Sequence, residues 1–205
     1  MSNKPLSGET VDGQPVQAIE EDLPLIPGTE TARSLGDFIR DARQEQDPEE
    51  PAQEAKKQRG KSTSRSRARR YARERALQAL YQWELSAGQS SDVKAEFLSG
   101  QDMSRVDVDY FVELFSSISH RPDDVDEPMQ SCLDRPLADL DPVERAVLRI
   151  AVYELTQRLD IPARVIINES IEITKRFGAD KGHRYVNGVL DKLAARLRAS
   201  EMTPR

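Results

Sequence analysis

The chain has 205 residues, a formal net charge of -6 and 37% hydrophobic residues, enough to bury a proper core in one large or two small domains. Few aromatics and many Ala, Leu, Arg and Glu favour helix, and neither a long apolar run nor an apolar N-terminal stretch occurs, so no membrane span or secretory signal is indicated and a cytoplasmic location is expected. Cys132 is the only cysteine, which excludes an internal disulfide or a cysteine-rich zinc site and leaves a buried small hydrophobe as its ordinary role.

Residues 1–60 carry seven Lys/Arg against thirteen Asp/Glu, six of the twelve prolines, and Phe38 as their one aromatic. This is the composition of a disordered, acidic and proline-rich extension, in which Thr31 to Arg43 could form a short helix when a partner supplies an apolar surface. The sign of the charge then reverses. Residues 61–75 carry seven Lys/Arg against one acidic residue, an electrostatic footprint for an anionic partner, nucleic acid first, against the plainer reading of a solvated basic tail. An acidic arm tethered to a basic block predicts weak competition with any bound polyanion.

Residues 61–66 read as a basic linker into a first helix from about Arg67 to Ala87, with Gly88 as a left-handed cap. Ala72, Ala76, Leu80, Trp83 and Ala87 form its core stripe. Arg67, Arg70, Glu74, Gln78, Tyr81 and Leu85 recur on a second face that the core is not expected to claim. A short helix follows through Val93, Phe97 and Leu98. Another runs from Asp107 to Ile118, with Val108, Phe111, Val112 and Phe115 inward, and prolines punctuate a further one around Val125 to Leu133.

Asp141, Pro142 and Glu144 occupy the cap, first and third positions of a capping-box-like start. The run behind it is apolar nearly all round, with Leu148, Val152, Leu155 and Leu159 on one stripe, so this helix should be central. Its Arg149 and Glu154 are then expected to be internally paired, with each other or with Asn168 and Glu169. VIINESIEITKRF looks like a strand in its β-branched residues, but Ile166, Ile173 and Phe177 fit the helical period. The last helix, from about Lys181 to Arg198, packs Val186, Leu190, Leu193 and Leu197. Its other face carries Lys181, Tyr185, Gly188, Lys192 and Arg196. A mid-helix glycine costs about 1 kcal/mol relative to Ala, so a close approach to Gly188 is expected, by another helix or by RNA backbone. Residues 199–205 are read as a tail.

Four segments in order, RRYARERALQALYQWELS, DVDYFVELF, LDPVERAVLRIAVYEL and IPARVIINESIEITKRFGADKGHRYVNGVLDKLA, resemble the NusB family of bacterial transcription antitermination factors from about Arg67 to Leu197. The resemblance implies an all-α fold of two small helical subdomains forming one compact domain. It implies binding to the boxA element of ribosomal RNA leader transcripts as a heterodimer with the small-subunit ribosomal protein also called NusE, alongside other antitermination factors and RNA polymerase. By position, Arg67, Arg69, Arg70 and Arg73 resemble the family's RNA-contacting segment, and Arg184 and Tyr185 its second patch, to which the basic stripe adds Lys181 and Lys192. Tyr81, Arg135 and Glu144 resemble its partner-facing surface. Tyr71 stands where an arginine is common and Lys181 where an acidic residue is familiar. The module is also similar to the N-terminal domain of certain ribosomal RNA cytosine methyltransferases, but no glycine-rich strand-turn-helix or catalytic cysteine motif follows.

Arginines would supply affinity and salt dependence, and Tyr185 a stacking platform; Gln78 and Asn187 are the candidate base readers. An enzyme is disfavoured: His120 and His183 have no nearby ligand at metal spacing, no nucleophile-base pair or phosphate loop is evident, and no cofactor is expected. A protein-only adaptor is the second rival. A DNA-reading helix-turn-helix is the third, disfavoured because the arginines sit on the entry to a core helix.

Overall fold

The computed structural model describes residues 56–86 and 88–202. The acidic extension and the Thr31 to Arg43 helix lie outside the described residues, as does Ala87. The described elements are α1 (Lys56–Ser86), α2 (Ser90–Gly100), α3 (Val108–His120), α4 (Asp123–Gln130), a single 3-10 turn (Leu137–Asp139), α5 (Pro142–Gln157), α6 (Ala163–Phe177), α7 (Gly182–Leu197) and α8 (Ala199–Met202). The fold is all-α. Among the described residues there is no strand, and the β-branched segment is α6.

Two helical groups share one core. α1, α2 and α3 pack together, α4 to α7 form the second group, and α1 and α3 both lie against α5. The first group is built on an aromatic ladder: Phe97 stacks on Phe111 at 6.0 Å and Phe111 on Phe115 at 6.2 Å between centroids. Small residues Ala72 and Ala76 let α1 approach closely, and Leu77 and Leu80 bury fully beside them. Each fully buried side chain of this size contributes about 1.5–3 kcal/mol. In the second group ten residues of α5 are buried, including Arg149 and Glu154, which makes it the central helix.

The caps follow the sequence in part. The Asp141 carboxylate accepts from Val143 N at 2.9 Å and Glu144 N at 3.3 Å, with Pro142 in the first turn. Asp107 does the same for Tyr110 N at 3.2 Å. Gly88 is not left-handed, and its N–H bonds the Ser86 hydroxyl instead. Among the described residues the one non-glycine residue at positive φ is Lys181, at 67° directly before α7.

Several expectations are corrected by the structure. α1 begins at Lys56, so residues 61–66 are helical where a linker was expected. α5 ends at Gln157, one turn short of carrying Leu159 inward, and Leu159 is 73% exposed. Leu98 and Val108 also face outward. Beyond α7 the chain is folded back on the core: the buried Arg198 guanidinium donates to the carbonyls of Leu155 (2.7 Å), Glu154 (3.3 Å) and Arg158 (3.2 Å) at the end of α5. Glu201 then caps α6 by accepting Ala163 N at 2.8 Å. Residues 198–202 therefore close the corner between α5 and α6.

Candidate nucleic-acid interface

The arginines at the head of α1 have different surroundings because the helix is covered on more than one side. Arg73 is buried, bonds Glu154 through Nε at 2.9 and 3.1 Å, and lies 3.8 Å from Glu169. The Tyr110 hydroxyl donates to the same Glu154 carboxylate. Burial pushes the Glu154 carboxyl up to about 7, against the pull of Arg73. Arg73 is thus an internal brace with no access to a phosphate. Arg69 is largely covered as well, 5.1 Å above the Tyr110 ring and within salt-bridge reach of Asp160 (3.5 Å) and Asp107 (3.9 Å). Arg70 is half exposed and bonds Glu169 through Nε and Nη2, each at 3.1 Å. Arg67 is exposed and, among the described residues, pairs with no carboxylate.

The second face of α1, expected to be open, is buried in its middle at Glu74, Gln78 and Tyr81, while Arg67, Arg70 and Leu85 stay exposed. Glu74 is buried under the Arg176 guanidinium (3.0 Å), and Gln78 has no exposed surface, its carbonyl taking a bond from Arg75 Nη1 at 2.8 Å. Gln78 cannot read a base from there. The other candidate reader, Asn187, donates to Asp191 at 3.0 Å one turn along α7.

What remains open at this end is a groove of about 660 Å³ between α1, the loop after α2, and α6. α1 lines it with Arg67, Arg70, Tyr71, Glu74 and Arg75; the loop with Gln101, Asp102, Arg105 and Val106; α6 with Glu172, Ile173, Lys175 and Arg176. Six basic side chains therefore face three acidic ones, and low-dielectric walls focus that positive potential. Arg75, Arg105, Lys175 and Arg176 escaped the sequence reading. Arg105 lies in a loop with no periodicity, and Lys175 and Arg176 stand in the last turn of α6, where cations are ordinary.

A second set of basic residues lies on α7, with Lys181 and Arg184 exposed at its start and Lys192 exposed in its second half. Tyr185 is half-buried, with the Arg135 guanidinium 4.7 Å from its ring centre. Burial, with help from the Asp134 carboxylate, holds its phenol above the usual range. Asp134 in turn bonds Arg135 at 2.9 Å. Glu144 belongs to the same cluster: its Oε1 lies where a Cβ at Gly182 would stand, so a larger residue there would push the Glu144 carboxylate aside. Burial pushes the Glu144 carboxyl up to about 7, aided by Asp141 and opposed by Arg135. Tyr185, expected on RNA, thus shares a cluster with Arg135 and Glu144, expected on a protein partner. Tyr81 is not on a polar edge: it is 9% exposed, and its phenol is raised by burial and by the Asp141 charge. Among the described residues nothing lies within 4 Å of where a Cβ at Gly188 would stand, so no described helix approaches it closely.

Among the described residues no helix is long and apolar enough to cross a membrane, and no group of three or more His, Cys, Asp and Glu could hold a metal ion. The two basic regions lie on helices of a fold that comparison with known proteins identifies. The NusB transcription antitermination protein of Shewanella amazonensis is 53% identical over 127 residues, covering 62% of this chain and 95% of that protein. That of Idiomarina loihiensis is 54% identical over 123 residues, covering 60% and 88%. Among solved structures, T. maritima NusB matches with a TM-score of 0.55 at 32% identity over 61% of this chain and 89% of that one. The NusB family model matches residues 70–195, and the chain belongs to the NusB family.

Proposed function

We propose that the protein is a cytoplasmic transcription antitermination factor that binds the boxA element of ribosomal RNA leader transcripts together with the ribosomal protein NusE, within an elongation complex of RNA polymerase and further factors. The observation that carries the RNA part is the groove, where cations from α1, the loop after α2 and α6 outnumber carboxylates two to one. Single-stranded RNA needs phosphate-binding cations and planar groups for its bases, and both basic regions supply them. Arg67 and Arg70 serve the groove; Lys181, Arg184, Tyr185 and Lys192 serve α7. The partner is assigned to the surface around Arg135 and Glu144, with the buried Tyr81 near Asp141 at the start of the same helix as Glu144. Family membership supports the antitermination role, since the curated relatives are transcription antitermination proteins.

The deciding experiment measures binding to a boxA strand and to a scrambled strand of equal length, with and without the purified ribosomal protein. Sequence-dependent affinity that rises when the partner is added is the expected result. Equal affinity for both strands under both conditions would reduce the protein to a general polyanion binder. Partner binding with no RNA affinity would make it a protein-only adaptor.

A further inference from the structure

Tyr71 stands half-buried on the α1 wall of the groove with the Arg105 guanidinium 4.9 Å from its ring centre. The loop carrying Arg105 is anchored on both sides of it. Asp102 accepts Ser104 N at 2.9 Å, Val106 N donates to Met103 O at 3.1 Å, and Asp107 N donates to Ala68 O of α1 at 3.1 Å. The ring is therefore held by α1, whereas Arg105 is an exposed, long side chain on a pinned loop. Cations flank the pair on both walls, Arg70 beside Tyr71 and Arg67 one turn before it on α1, and Lys175 and Arg176 in the last turn of α6. A planar ring between cations, in a groove within the range of about 300–1,000 Å³ typical of small-molecule sites, suits one nucleotide of a single strand.

We propose that Tyr71 is a base-stacking subsite, distinct from Tyr185, in which an RNA base takes the place of the Arg105 guanidinium and Arg105 moves to a neighbouring phosphate. The inference rests on the RNA-binding reading above. An exposed cation–π contact is weaker than base stacking, so the exchange is downhill, and the displaced guanidinium keeps a partner because phosphate accepts it bidentately. The ring's exposure to the groove is what a helix-period reading of α1 does not show.

The test uses the full chain and a single-stranded RNA carrying 4-thiouridine. Tyr71→Ala should weaken RNA binding roughly 5- to 150-fold, the equivalent of about 1 to 3 kcal/mol of stacking, with the slope of log affinity against log salt unchanged. Tyr71→Phe should bind as the parent does. Arg105→Ala should flatten the slope by roughly 0.7, one phosphate contact on a single strand. Heparin, which has charge but no bases, separates stacking from simple support of Arg105: Tyr71→Ala should bind it normally. Equal losses for heparin and RNA, or RNA affinity unchanged by Tyr71→Ala, would overturn the proposal while leaving RNA binding intact. Photocrosslinking of the parent protein needs no variant. A crosslink on the peptide containing Tyr71 is expected, and crosslinks confined to other peptides would overturn the subsite. No RNA binding by the parent would sink the broader reading with it.

Discussion

Two regions of this molecule use the same residue types for opposite ends. Between α1, α4 and α5, Arg149 forks onto Asp126 at 2.7 and 2.8 Å and also bonds Glu84, while Arg145 bonds Glu84 at 2.9 Å, all largely out of solvent. In the groove between α1 and α6, cations outnumber carboxylates and several reach solvent. The first arrangement neutralises itself and fixes helix orientation; the second keeps a surplus of positive charge for something outside the chain. Exposure decides between the roles, because an unpaired charge is affordable in water and costly in a core. The same division runs within α1, where Arg73 braces Glu154 and Arg67, two turns earlier, faces solvent.

Arg149→Ala is expected to have the largest effect, about 3–5 kcal/mol of lost stability, because it leaves Asp126 and Glu84 buried with one cation between them. Urea unfolding measures this directly. A loss below about 1 kcal/mol would mean the network is wetter than its burial indicates and the contrast between the regions would dissolve. Arg73→Ala should cost nearly as much, about 3 kcal/mol, through the stranded Glu154. Its sharper consequence concerns binding: whatever fraction stays folded should keep the salt slope of the parent for RNA, since Arg73 meets no phosphate. A flattened slope in folded Arg73→Ala would return Arg73 to the RNA surface.

Glu144 lies between the two regimes, half-buried yet with no cation at salt-bridge distance among the described residues. Its carboxyl titrates at about 7 in the fold against an ordinary 4.5, so the unfolded chain releases this proton first. Stability should therefore fall as pH rises from about 4.5 to 7 and then level off. Glu144→Gln removes that fall: it should match the parent at acid pH and exceed it above neutrality by about 1 kcal/mol, discounted for the solvent-exposed half of the group. Thermal melts of both proteins across pH 4 to 8 read the difference, in which the titration of Glu154 cancels. A constant offset across the range would show that Glu144 is paired or fully solvated.

The smallest stability effect is expected where the binding effect is clearest. Arg67→Ala combined with Arg70→Ala should change stability by no more than about 1 kcal/mol, since only the half-exposed Arg70 pair with Glu169 is lost. The salt slope for RNA should flatten by roughly 0.7 for each phosphate contact removed. An unchanged slope in the folded double variant would move the RNA surface away from the groove altogether.

Sequence alone determined the helices and much of the core. The Asp141 and Pro142 start of α5, the burial of Phe97, Phe111, Phe115, Ile166, Ile173, Phe177, Leu190 and Leu193, and the helical state of α6 all follow from caps and from a period of 3.6, which are local properties. The reversal of charge at residue 61 was equally plain. The tertiary structure decided which charges are spent internally. A helical period shows which residues share a face but not how many faces a neighbour covers, and α1 is covered by α3, α5 and α6. That coverage put Arg73, Glu74 and Gln78 inside, took Tyr81 off the surface, and gathered Arg105, Lys175 and Arg176 from separate segments into the groove. Burying a charge demands a partner from elsewhere in the chain, and the identity of that partner is a long-range property that no local pattern carries.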